Sequence, residues 1–87
     1  MFQPDFALTV NHARTAYEAG LAAISAGETE FDLAQVSAVD SAAVATLLSW
    51  RNAARKAGVV LHFNHFPPTL RTLIDLYGVT DLLQARS

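Results

Sequence analysis

The feature that most constrains this chain is a change of hydrophobic period that repeats along its length. Short apolar runs with period two alternate with stretches whose apolar residues recur every three or four positions, all within 87 residues. The first pattern is that of a half-buried strand and the second that of one helix face. Phe6, Leu8 and Val10 alternate with Ala7 and Thr9. Asn11 then stands where its side-chain oxygen can accept from the free N–H groups of a helix. The helix stripe is Ala13, Ala16, Tyr17, Gly20, Leu21 and Ile24, and Gly27 closes it.

Thr29 to Leu33 reads as a second strand, with Phe31 and Leu33 on one side, and Ala34 to Asp40 as a loop or strand end. A second helix follows Asp40-Ser41 to about Ala57, with Val44, Leu47, Leu48 and Ala54 as its stripe. Arg55 and Lys56 fall in its last turn, where cations suit the helix dipole, and Gly58 stops it. Val59 to Asn64 is a third strand. Its unbroken Val59-Val60-Leu61 predicts cover on both faces. Pro67-Pro68 pre-forms the start of a third helix with stripe Leu70, Leu73, Ile74 and Tyr77, ended by Gly78. Thr80 opens a last short turn holding Leu82 and Leu83. Strands alternating with helices over such short connections predict an α/β domain with a mostly parallel sheet.

Composition narrows the function. Charged residues make up 16% of the chain and hydrophobic residues 52%, which excludes a disordered polar tail. With 6 basic against 8 acidic residues the net charge is −2, and no basic stripe exists to neutralise phosphates. Nucleic acid is therefore not an expected partner. There is no cysteine, so no disulfide or thiolate site forms. No apolar run approaches the roughly 18 residues of a membrane span, and the start lacks the basic region of a signal peptide. A cytoplasmic protein without direct membrane insertion is expected.

Catalytic frames are missing. The 4 glycines make neither a phosphate loop nor a dinucleotide fingerprint, and there is no nucleophile elbow. No enzyme activity and no cofactor are expected. His62 and His65 have H-x-x-H spacing, but on a strand that spacing sends the rings to opposite faces, and no third acidic ligand lies near them in sequence. They and His12 read as surface or loop histidines. No metal is expected.

Val39-Asp40-Ser41-Ala42-Ala43 places an acid and a hydroxyl where a loop enters a helix. Both are favoured N-cap residues. The same position also suits a regulatory hydroxyl, because phosphate on Ser41 would meet the positive helix end and add about two negative charges beside Asp40. Trp50 lies at the edge of the second helix stripe, with Arg51 nearer its middle. Peripheral packing and a partner anchor both suit Trp50, since Trp and Arg dominate interface hot spots.

The stretch Phe31 to Val44 resembles the STAS domain family. It carries a strand, the turn Val36, Val39, Asp40, Ser41, and then Val44, Leu47 and Leu48 on the following helix. Gly58, the proline-started helix and Leu73-Ile74-Asp75-Leu76-Tyr77-Gly78-Val79 extend the likeness from about Phe6 to Leu83. The family includes anti-sigma factor antagonists and domains attached to anion transporters. The runs VDSAAVATLLSW, AARKAG and LIDLYGV are most similar to MlaB-type members, stand-alone STAS subunits of the Mla phospholipid ABC transporter.

The resemblance implies one STAS domain over residues 1–87, a mostly parallel or mixed sheet of about four strands packed with three to four helices. It implies a non-catalytic cytoplasmic subunit that binds the ABC transporter ATPase and reaches the inner membrane only through it. The alternative is an anti-sigma factor antagonist switched at Ser41, the position phosphorylated in sigma-regulating members. Ala42-Ala43 replaces a glycine common after that serine. The partner-binding residues implied are Asp40, Ser41, Ala42, Thr46 and Trp50. The family opens with a pair of strands, whereas few residues precede Phe6 here. An exposed sheet edge is therefore expected, which a homodimer would cover.

Overall fold

The computed structural model describes residues 1–4 and 7–83. Its elements run β1 (Ala7–Leu8), α1 (Ala13–Ser25), β2 (Glu30–Asp32), β3 (Ala38–Val39), α2 (Ser41–Lys56), β4 (His62–Asn64), α3 (Pro68–Leu76) and α4 (Thr80–Leu83). The expected order of alternating strands and helices is present, with β3 as an added short strand. The strands form two parallel two-stranded ladders, β1 with β3 and β2 with β4, instead of one sheet.

The N-terminal segment serves both ladders. Phe2 makes a parallel bridge to Phe31, donating to Glu30 O at 3.1 Å while Asp32 N donates to Phe2 O at 2.8 Å. On the other side of β2, His62 N donates to Thr29 O and Leu33 N to Asn64 O. Phe2 thus pairs with the β2 edge that faces away from β4. Ala7–Leu8 lies on β3. Buried Pro4 stands between these two pairings and has no N–H to donate to a ladder.

The core is one apolar cluster between the strands and the helices, with Trp50, Phe31, Leu8, Leu33, Leu47, Leu70 and Ile74 as its largest fully buried members. Phe31 is its hub: its ring lies 4.5 Å from Phe2, 5.1 Å from Trp50 and 6.0 Å from Phe63, centre to centre. Such tilted aromatic pairs contribute beyond their burial. On α2 the buried face is Ala43, Val44, Thr46, Leu47, Trp50 and Ala54. The helix packs on α1, α3 and α4. Gly58 closes α2 at φ +74, a left-handed conformation that side chains resist.

Several sequence expectations change. β1 stops at Leu8, so Val10 turns outward and is 71% exposed. Phe6 lies outside the described residues. Asn11 does not cap α1; His12 holds that place without a side-chain cap. β4 begins only at His62, so Val59-Val60-Leu61 is not a doubly covered strand, and Val60 is exposed. Tyr77 is exposed rather than part of the buried stripe of α3. For Val10 and Tyr77 the apolar period continues in sequence beyond the point where the ladder or the helix ends.

Candidate functional site

The turn from β3 into α2 is built by one carboxylate. Asp40 is the N-cap, extended at φ −141 and ψ −166, and its Oδ1 accepts from Ala42 N at 2.9 Å. Its Oδ2 accepts from Val10 N at 3.0 Å, across the gap to the chain leaving β1. A single side chain therefore caps a 16-residue helix and ties two loops together. An acid suits the positive helix end, and such a cap is worth about 1 kcal/mol over alanine.

Ser41 is the first helical residue and is exposed; Ala42 is half-buried. From Ser41 an exposed ridge continues along α2 through Ala45, Asn52 and Lys56. Beside the turn stands Val10, an exposed apolar residue. Sequence reasoning missed Val10 because its period matched Leu8. The available signal was Asn11-His12, which ends the strand early. Together these groups offer a small surface with a hydroxyl at its centre, and in the same loop as Val10 the Thr9 hydroxyl pairs with His12 Nδ1 at 3.0 Å.

Two expected partner-binding residues are not on that surface. Trp50 is 0% exposed, and its Nε1 donates to Tyr17 O of α1 at 3.1 Å. It stands edge-on to Phe2 and Phe31 and lies over Gly20, where a Cβ would collide with the indole. The α1–α2 contact thus rotates the buried face of α2 onto Trp50 and moves Arg51 to the half-buried margin. Thr46 is 5% exposed and donates from Oγ1 to Ala42 O at 2.8 Å, one turn back along its own helix. Both are buried rather than on the Asp40–Ser41 surface: Trp50 ties α2 to α1, and Thr46 braces the first turn of its own helix.

A second polar cluster sits where β2 and β4 end. Asp32 is largely buried and accepts from Ala34 N at 2.9 Å, Gln3 Nε2 at 3.1 Å and, through Oδ1, the His65 ring at 3.1 Å. The Ala34 N–H, then the Gln3 and His65 bonds, hold its carboxyl below the usual value against the opposing effect of burial. His65 has φ +61, a left-handed backbone unusual for histidine. An acid distant in sequence lies beside one histidine of the H-x-x-H pair, brought there by the β2–β4 pairing. Among the described residues, no three His, Cys, Asp or Glu side chains gather as metal ligands, and no helix is long and apolar enough to cross a membrane.

Comparison with known proteins places the chain. No curated protein and no solved structure matches it. The protein-family model described as the MlaB-type STAS domain matches residues 7–84, which takes in every element from β1 to α4 and the Asp40-Ser41 turn. The chain belongs to the STAS domain family, in its MlaB-like branch.

Proposed function

We propose that this chain is a non-catalytic STAS subunit that binds the ATPase of an Mla-type phospholipid ABC transporter and supports its assembly or activity. It works from the cytoplasm and is held at the inner membrane through that partner. The observation that carries the reading is the MlaB-type match over residues 7–84 combined with an exposed Ser41 at the start of α2. Asp40, Ser41 and Ala42 form the centre of the docking surface, with Val10 beside them. Thr46 and Trp50 act on it indirectly by fixing how α2 presents Ser41.

The alternative, an anti-sigma factor antagonist switched by phosphorylation, draws on the same exposed hydroxyl. In that reading the phosphate would have to share the helix end with Asp40, whose carboxylate already takes the Ala42 N–H.

The test is a pull-down from native lysate with the wild-type chain and a Ser41→Glu variant, read by mass spectrometry. An ABC ATPase recovered with its permease by wild type, and depleted for Ser41→Glu at unchanged melting temperature, is the expected result. Recovery of an anti-sigma serine kinase instead would replace the transporter reading with the switch. Equal ATPase recovery by both proteins would move the interface away from Ser41.

A further inference from the structure

The opposite end of α2 carries a different surface. Arg55 and Lys56 occupy the last turn, and Arg51 lies one turn earlier. Together they are three of the 6 basic residues in the chain. A groove of about 170 Å³ opens there between α2, the segment entering β4, and α4. Arg51 and Arg55 form one wall, and Val60, Phe63, Leu82 and Leu83 line the rest. Phe63 and Leu83 belong to the core, but Val60 is 66% and Leu82 47% exposed.

Two large aliphatic side chains thus face solvent beside two guanidinium groups. Among the described residues no carboxylate pairs with Arg51, Arg55 or Lys56. In a chain of net charge −2 this is a local excess of positive charge. Guanidinium offers a planar fork of donors that matches carboxylate.

We propose that this groove docks an acidic, amphipathic segment of a protein partner. Its carboxylates would meet Arg51 and Arg55, and an aliphatic side chain would settle between Val60 and Leu82. A peptide fits better than a membrane surface because the site is concave. Electrostatic lipid binding also draws on clusters of about four to eight basic residues, more than the three here. The surface lies at the other end of α2 from Ser41 and does not depend on the identity of the partner there.

The test uses the full chain, ¹⁵N-labelled, titrated with a short acetylated peptide of alternating glutamate and leucine pairs. A matched peptide with lysine in place of glutamate is the control. The expected result is saturable shifts confined to the amides around Arg51, Arg55, Val60 and Leu82, absent with the lysine peptide. Arg55→Gln should weaken binding roughly tenfold, the order expected for a charge-assisted hydrogen bond. Val60→Asp, at an exposed site, should abolish binding without changing the circular dichroism spectrum. Shifts centred on Ser41, equal binding of the lysine peptide, or no effect of either variant would overturn the proposal. So would binding to phosphatidylglycerol vesicles, or dimer formation lost on Val60→Asp, in a protein that ignores the acidic peptide.

Discussion

Replacing Gly20 with alanine sets helix propensity against packing. Gly20 lies inside α1, where alanine is favoured over glycine by about 1 kcal/mol. On propensity alone Gly20→Ala would stabilise the domain. But a Cβ at this position would stand 2.8 Å from Trp50 Cδ1 and nearer still to Nε1 and Cε2. The indole has little room to retreat, because Phe2 and Phe31 hold it with ring centres at 5.9 and 5.1 Å. Overpacking of this kind costs about 1–3 kcal/mol. Displacing the indole also strands a buried N–H now bonded to Tyr17 O, worth about 1–3 kcal/mol more.

Set against the propensity gain, the losses leave a net destabilisation of about 1–5 kcal/mol, with about 3 as the central value. At about 4–8 °C per kcal/mol for a domain of this size, the melting temperature should fall by about 12–24 °C. Thermal and urea unfolding, followed by far-ultraviolet circular dichroism and Trp50 fluorescence, would measure it. A melting temperature that stays level or rises would refute the packing argument. The same substitution in a Trp50→Phe background is the internal control. A smaller ring leaves room for the methyl, so the penalty should shrink; an undiminished penalty would mean that the indole is not the obstacle.

The other expectations concern the turn, the core and the second polar cluster. Trp50→Ala should cost about 3–5 kcal/mol by emptying the core; a variant that unfolds like wild type but binds its partner poorly would return Trp50 to the surface. Asp40→Ala loses both acceptors and should cost about 1–2 kcal/mol, whereas Asp40→Asn keeps most of the cap; matching urea midpoints for all three proteins would contradict the assigned role. Because the Asp32 carboxyl titrates lower when folded than when unfolded, it stabilises the fold above its ordinary value of 3.8, and that stability is lost as pH falls through the lower folded value. Melting temperatures taken from pH 6 down to about 2 should therefore show a steeper acid decline for wild type than for Asp32→Asn. Parallel profiles would dismiss the contribution.

Much of the site was legible because it is local. The N-cap role of Asp40 and the exposed place of Ser41 follow from residue types at a loop–helix junction, where the backbone needs an acceptor whatever the rest of the fold does. Val10 was illegible because a strand ends where its ladder ends, and β3 pairs only with Ala7 and Leu8. Period two alone carries no stop signal between Leu8 and Val10. Val60 was misread because an unbroken apolar run does not say where pairing begins, and Tyr77 because the helical stripe continues onto the C-cap residue.

The sequence by itself determined the alternation of strands and helices, the glycine stops and the Asp40 start of α2, and the membership signalled by the Val36-to-Leu48 run. These depend on dihedral preference, capping and periodicity, all set by near neighbours. Only the tertiary structure decided which side of α2 is buried, because that depends on Gly20, 30 positions before Trp50 in the chain, yielding space for the indole. Only it could bring Asp32 to His65 and Asp40 to Val10, pairs set by strand register. Only it left Arg51 and Arg55 beside exposed Val60 and Leu82, since burial depends on which surfaces meet.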